Sequence, residues 1–194
     1  MNIYIYEGER NQKISSEILI KKVLNLYNIE CNMGLSLEEI DKEEICRKEK
    51  GKPYFKKIPL EFSISHSGDI WVCVMGNSKV GIDIQMKKPV SAIEIAKRFF
   101  TKEESKLIEE TDEKVFFKMW TMKEAFVKFT GEGIFYGLDK FSVVKDGKFI
   151  DIIESPDQCY FRKIEISKLY ECYICLNEIE KTETRNIFRL GDIY

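Results

Sequence analysis

The chain has 194 residues, of which 44% are hydrophobic and 33% are charged, and its formal net charge is -2. A disordered chain would be less hydrophobic and carry a larger net charge, so this composition indicates a folded protein. No apolar run approaches the ~20 residues of a membrane helix. The chain is slightly acidic, so it lacks the overall positive charge that is typical of nucleic-acid-binding proteins. The first residues lack the basic start and apolar stretch of a signal peptide. We therefore expect a cytoplasmic protein with no membrane and no nucleic-acid partner.

The six cysteines include one pair at a spacing used by metal and redox sites, Cys172 and Cys175. This pair lies in a predicted strand, where residues three apart point to opposite faces of the sheet. No second such pair and no nearby histidine completes a zinc site. The sequence therefore predicts two buried or half-buried thiols in a reducing compartment.

The first half of the chain reads as two helices followed by strands. Apolar spacing predicts a helix over residues 13–27, and Ser36 with Glu39 forms a possible capping box for a short second helix. The segments EFSISH, IWVCVM and VGIDIQ, separated by tight turns, then predict a β-meander.

The second half begins with helices and ends with strands. One helix is predicted near residues 91–99, the next begins at the capping box of Thr101 and Glu104, and a long one covers 113–130. Strands are predicted at FSVVK, KFIDII, CYFRKIEI and YECYICL. Phe62-Ser63 and Phe141-Ser142 precede a glycine at the same interval, which suggests a duplicated helix–hairpin–strand unit.

Four polar side chains could carry chemistry near the end of the meander and in the long helix. Asp83 and Gln85 share one face of VGIDIQ, so they can approach one ligand, although a solvated polar face is the commoner reason for such alternation. The neighbouring Gly81 favours a site, because glycine weakens a strand unless something approaches its backbone closely. In the long helix, Glu124 and Lys128 lie opposite an apolar stripe and are flanked by aromatic residues. They are either a structural ion pair or part of a functional cleft.

Two further groups are weak signals alone, and the first of them is suited to phosphate oxygens. Ser65 and the single histidine, His66, form a donor-rich corner at the end of a strand, where a histidine is more often a turn residue than a catalyst. Lys52, beside a proline turn, reads as an ordinary exposed lysine when taken by itself.

Taken in order, these segments resemble one enzyme family. GKPY, FSISHSG, VGIDIQ, KRFFTKEE and WTMKEAFVKFTGEG, over residues 51–145, are similar to the signature series of the Sfp-type (surfactin-synthetase-activating) 4′-phosphopantetheinyl transferases. The resemblance implies an α+β fold of two similar halves related by pseudo-two-fold symmetry, with the active site in the cleft between them. The halves would be residues 1–80 and 81–194, the second carrying most of the metal and catalytic residues.

The resemblance also implies a reaction. Phosphopantetheine would move from coenzyme A to a serine of an apo acyl or peptidyl carrier protein, releasing 3′,5′-ADP, in a Mg²⁺-dependent enzyme of the holo-[acyl-carrier-protein] synthase type. We expect a monomer, because both walls of the cleft come from one chain. The alternative is a non-catalytic module that binds coenzyme A or a carrier protein. Fatty acid, polyketide and nonribosomal peptide carriers all stay open.

Roles for individual residues follow from the resemblance. Asp83 would ligate Mg²⁺, and Glu124 would be a second ligand, the base for the serine proton, or both. Lys128 would neutralise charge on the pyrophosphate, and together with Lys52, Ser65 and His66 it would hold coenzyme A. Candidates for further basic contacts in the poorly matching N-terminal region are Arg10, Lys13, Lys21 and Lys22.

One position departs from the family pattern. Many members carry a second acid where this chain has Gln85. An amide oxygen can bind Mg²⁺ or a water on it, but it brings no charge. Gln85 is therefore predicted at the metal, either as a direct ligand or through a bound water.

Overall fold

The structure is a computed structural model that describes residues 1–8, 14–112, 114–153, 158–177 and 187–190. The helices are α1 (Ser16–Cys31), α2 (Leu37–Lys42), α3 (Ala92–Phe99), α4 (Lys102–Glu110) and α5 (Lys114–Thr130). The strands are β1 (Asn2–Glu7), β2 (Ile45–Arg47), β3 (Pro53–Phe55), β4 (Glu61–Ser67), β5 (Ile70–Gly76), β6 (Val80–Met86), β7 (Val144–Lys145), β8 (Lys148–Phe149), β9 (Ile152–Ile153), β10 (Cys159–Lys163), β11 (Tyr170–Leu176) and β12 (Ile187–Leu190). Short 3-10 turns cover Gly133–Tyr136 and Leu138–Lys140.

Two four-stranded sheets form the body of the protein and confirm the α+β prediction. Their strand orders are β12-β1-β5-β4 and β6-β11-β10-β9. Among the described strands of these sheets, only β1 and β12 pair in parallel. The buried face of α1 packs in one core with residues of β1 and β5, whereas α5 packs against β6 and β11. Each sheet is therefore covered by one long helix.

The inner faces of the two sheets share a third core. It is built mainly from β-branched residues of β1, β5, β6 and β11, which fit a pleated surface well. Where β4 lies beside β6, serine hydroxyls replace a backbone ladder: Ser63 Oγ accepts from the Ile82 N–H at 3.1 Å and Ser67 Oγ from the Met86 N–H at 2.9 Å. These contacts fix how the two sheets meet.

Most predicted helix boundaries are confirmed, because they depend on local capping chemistry. Both predicted capping boxes, at Ser36 and at Thr101, are formed. The first helix begins at Ser16 and extends to Cys31, four residues beyond the prediction. It ends there because Asn32, with a φ of 50°, adopts the left-handed conformation and its N–H binds the last carbonyls.

The predicted strands of the last third are shorter than expected. FSVVK forms a strand only at Val144–Lys145, because the Ser142 hydroxyl bonds to both the N–H and the carbonyl of Val144 and holds a turn there. KFIDII divides into β8 and β9, which belong to different sheets. A tight turn joins β7 to β8, with positive φ at both Asp146 and Gly147.

The two cysteines of the Cys-x-x-Cys spacing diverge as predicted. Cys172 lies in the core between the sheets, and Cys175 lies in the core under α5. Both thiols are buried, and burial raises their pKa well above the ordinary value. Buried protonated thiols on opposite faces of one strand cannot share a metal ion.

The strand orders of the two sheets correspond in part. In each sheet a first strand pairs with the second strand of a later hairpin: β1 with β5, and β6 with β11. The repeated Phe-Ser spacing at Phe62 and Phe141 does not mark these corresponding strands, since Phe141 lies before the small β7–β8 hairpin. β12 joins the first sheet although it falls within residues 81–194, and the division into halves at residue 80 stays a prediction. None of the helices in the described ranges is long and apolar enough to cross a membrane.

Candidate active site

Helix α5 crosses strand β6 at Gly81. A Cβ built on Gly81 would lie 2.0 Å from the carbonyl oxygen of Ala125 and 2.4 Å from the backbone nitrogen of Phe129, so no larger residue fits. The predicted close approach to this glycine is therefore correct, and what approaches is the α5 backbone. Glu124 and Lys128 precede these two contact residues, which brings both to the region of Asp83 on β6.

Asp83 is held by three donors. The residue is 2% exposed. Its Oδ1 accepts hydrogen bonds from Ser65 Oγ at 2.7 Å and from Lys128 Nζ at 2.6 Å, and Oδ2 accepts one from Gln85 Nε2 at 3.1 Å. The spacing of four residues on α5 suggested that Lys128 pairs with Glu124, but the ion pair is with Asp83. The lysine thus joins the helix to the strand.

Glu124 keeps its carboxylate free. In the part of the chain that the structure describes, it makes no hydrogen bond and no ion pair. Burial and the nearby Asp83 carboxylate raise the pKa of Glu124, and Lys128 offsets part of this effect. A partly desolvated carboxylate without a partner is typical of a group that awaits a cation or a proton.

Glu124 and Lys128 line a cavity of about 330 Å³. One wall is the loop between β2 and β3 with part of β4, the other is the end of α5 and the turn after it, and the lining comprises Arg47, Lys50, Gly51, Lys52, Pro53, Ser63, Ile64, Glu124, Val127, Lys128, Gly131 and Gly133. Four of the lining side chains are cationic and one is anionic. The cavity therefore has the charge expected for an anionic ligand.

Lys52 is buried, whereas the sequence taken by itself predicts an ordinary exposed lysine. Its Nζ donates to the carbonyl of Val80 at 2.9 Å and lies 3.5 Å from a carboxylate oxygen of Glu61. Burial lowers the pKa of Lys52. An ammonium kept at a cavity wall in this way is well placed to meet a phosphate.

The remaining predicted residues that fall in the described ranges do not line this cavity. Ser65 points to Asp83, and His66, on the opposite face of β4, is exposed. Lys21 donates to the Asp41 carbonyl at 2.5 Å, and Lys22 does not line the cavity. Arg10 and Lys13 lie outside the described residues.

Sequence reasoning missed one charged pair entirely. Lys123 and Glu104 are both 0% exposed, and their charged atoms lie 2.8 Å apart. Lys123 Nζ also donates to the carbonyls of Leu138 and Phe141, so all three of its donors are satisfied. The available signal was the position of Lys123 beside the apolar stripe of α5, where a charge requires a buried partner.

The carboxylates of Asp83 and Glu124 suit a hard divalent cation. No group of three or more histidine, cysteine, aspartate or glutamate residues that could hold a metal occurs in the described ranges. Mg²⁺, however, is usually bound by one or two carboxylates together with waters and substrate phosphates. Asp83 and Glu124, which repel each other electrostatically, match that ligand set.

Comparison with known proteins agrees with this geometry. A family model described as the 4′-phosphopantetheinyl transferase superfamily matches residues 79–175, which include β6, α5 and β11. The chain is 39% identical over 182 residues to the 4′-phosphopantetheinyl transferase Sfp of Bacillus subtilis, covering 89% of this chain and 76% of that protein. It is 33% identical to the 4′-phosphopantetheinyl transferase psf-1 of Bacillus pumilus, covering 86% of this chain and 71% of that protein.

Proposed function

Because this chain belongs to the 4′-phosphopantetheinyl transferase superfamily, we propose that it transfers phosphopantetheine from coenzyme A to a serine of an apo acyl or peptidyl carrier protein. The observation that carries the proposal is the grouping of Asp83, Glu124 and Lys128 at a cationic cavity. A module that only binds coenzyme A has no need of an unpartnered carboxylate beside a lysine–aspartate pair.

The reaction requires a nucleophile, a base and neutralisation of phosphate charge. The serine oxygen forms a bond to the β-phosphorus of the pyrophosphate, the bond from that phosphorus to the bridging oxygen breaks, and 3′,5′-ADP leaves. Glu124 takes the serine proton, directly or through a water. Lys128 transfers its interaction from Asp83 to the pyrophosphate and stabilises the charge on the leaving group. Lys52 binds a phosphate oxygen at the opposite wall of the cavity.

We further propose that the enzyme is Mg²⁺-dependent and of the holo-[acyl-carrier-protein] synthase type. Asp83 and Glu124 would hold the ion, which supplies Lewis-acid stabilisation of the pyrophosphate when bound. Ser65 then acts by orienting Asp83. His66, exposed two residues beyond Ile64 on the same face of β4, remains available to the nucleotide end of coenzyme A.

Gln85 provides a graded test of this assignment. Because its amide donates to Asp83, we expect it to position the aspartate or a metal-bound water rather than to ligate the ion. Gln85→Ala should cost on the order of 1 kcal/mol in transition-state stabilisation, the value of one hydrogen bond. Asp83→Ala should be far more damaging, and Gln85→Glu should lower the Mg²⁺ concentration that gives the half-maximal rate.

The measurement is a Mg²⁺ titration of the transfer rate for these three variants and the unmodified protein. If Gln85→Ala is as damaging as Asp83→Ala, the glutamine is a direct ligand and the outer position assigned to it is wrong.

Release of 3′,5′-ADP distinguishes the transferase from the binding module. With coenzyme A and Mg²⁺ present, release should begin only when an apo carrier protein is added. Binding of coenzyme A without release, for carriers of all three pathways, would favour the module. We also propose that the protein is a monomer, since one chain supplies both walls of the cavity. We further propose that it is cytoplasmic and has no nucleic-acid or membrane partner.

A further inference from the structure

The two walls of the cavity meet between the loop that joins β2 to β3 and the turn that follows α5. We call this contact the seat: Lys48–Lys52 on one side and Gly131–Gly133 on the other. A Cβ built on Gly133 would lie 2.8 Å from the carbonyl oxygen of Lys50, and one on Gly131 would lie 3.5 Å from Cδ of Lys52. The Lys50 ammonium also pairs with Glu132. The backbones therefore pack as closely as glycine permits.

The loop side of the seat is internally braced. The Gly51 N–H donates to the Lys48 carbonyl at 2.8 Å, the Lys48 N–H donates to the Lys52 carbonyl at 2.9 Å, and Arg47 donates to the Gly51 carbonyl at 3.0 Å. A loop closed by its own hydrogen bonds moves as a unit. Any shift at Lys50 is therefore passed on to Lys52, two residues away.

From this geometry we propose that Gly133 is a positioning residue: by seating the β2–β3 loop on the turn after α5, it sets the distance between Lys52 and the Glu124–Lys128 wall. The inference rests on the proposed function, since its ligand is coenzyme A. Glu124 and Lys128 are fixed by the α5 crossing at Gly81. The Val80 carbonyl and Glu61 hold the ammonium of Lys52, and the seat locates the backbone that carries this side chain. Gly133 itself touches no reacting atom.

The test compares Gly133→Ala with Gly147→Ala. Both glycines have positive φ, 62° and 69°, so alanine strains both backbones, but a Cβ on Gly147 meets nothing within 4 Å. Displacement of a positioning contact by about 1 Å can cost up to about 100-fold. We expect Gly133→Ala to weaken coenzyme A binding, measured by calorimetry, about tenfold or more, and to raise KM with little change in kcat. Gly147→Ala should leave both values unchanged.

A second pair of variants covers the case in which Gly133→Ala does not fold. Glu132→Lys places two exposed ammonium groups against each other and should lift the loop, weakening coenzyme A binding. Added positive charge alone would tighten it, so the two effects have opposite signs. Glu132→Gln removes the ion pair without setting two ammonium groups against each other, so it should weaken binding less than Glu132→Lys does.

These outcomes separate the seat from the proposed function. If the unmodified protein binds no coenzyme A, the proposed function fails. If it binds and Gly133→Ala binds equally well, or loses stability without a change in KM, the seat is only structural and the inference is overturned. Tighter binding by Glu132→Lys would overturn it as well.

Discussion

Replacement of Glu124 by glutamine should lower the transfer rate by about 10²–10⁴-fold, the usual cost of removing a general base. The substitution keeps the shape of the side chain but removes both its charge and its basicity. The apolar stripe of α5 on the other side of the helix is untouched, so the fold should persist. Steady-state kinetics and circular dichroism on the same preparation measure both effects. Glu110→Gln, at an exposed ion pair on α4, is the matched control and should change neither.

The pKa of Glu124 makes the same prediction sharper. Its value in the folded protein is raised by burial and by Asp83. As pH rises, the unfolded chain therefore ionises first, and the folded protein loses stability until the pH passes the folded pKa. In metal-free buffer at neutral pH, Glu124→Gln should consequently have an equal or higher Tm than the unmodified protein. The acid limb that the base gives to the rate profile should be absent in the variant.

A structural role for Glu124 predicts the opposite pattern. Half of a stabilising ion pair would leave the protein less stable when neutralised, while the remaining folded molecules would turn over at the normal rate. A lower Tm of Glu124→Gln with unchanged turnover per folded molecule would therefore show that Glu124 takes no part in the mechanism.

The second large effect concerns stability. Lys123→Met should destabilise the protein by about 3–5 kcal/mol, because it leaves the Glu104 carboxylate buried without a counter-charge. Glu104 also accepts from the backbone N–H groups of Thr101 and Val143, so it ties the start of α4 to the strand region after α5. Urea unfolding monitored by circular dichroism gives the free energy of unfolding directly.

A double variant separates charge from packing. Lys123→Met with Glu104→Gln removes both charges and keeps an acceptor for Val143, so it should recover part of the lost stability. Lys106→Met, an exposed lysine of α4, should stay within about 0.5 kcal/mol of the unmodified protein. If Lys123→Met costs no more than this control, the buried pair does not hold these elements together.

The sequence predicted what local chemistry decides. The capping boxes at Ser36 and Thr101 and the opposite faces of Cys172 and Cys175 depend only on neighbouring residues and on helix or strand periodicity. The close approach at Gly81 was also visible, because a glycine inside a strand signals a neighbour at backbone distance. The Gly81 signal therefore marked β6, the strand that carries Asp83, as one that another backbone approaches closely.

The features that the sequence did not predict depend on contacts between residues that are far apart in the chain. The i,i+4 spacing pointed Lys128 to Glu124, whereas the fold offers it Asp83, 45 residues away. The burial of Lys52 follows from the Val80 carbonyl, and the pairing of Lys123 follows from Glu104 on another helix. Periodicity reports which face a side chain occupies, but not which partner the tertiary fold brings to it.

The intact mass of the carrier protein tests the central claim most directly. Purified protein, coenzyme A and Mg²⁺ should add the mass of one phosphopantetheine to an apo carrier protein, and a carrier with its acceptor serine changed to alanine should gain nothing. Glu124→Gln under the same conditions should give little product. If carriers of the fatty acid, polyketide and nonribosomal peptide classes all keep their mass while coenzyme A binds measurably, the cavity binds the substrate without transferring it, and the account is contradicted.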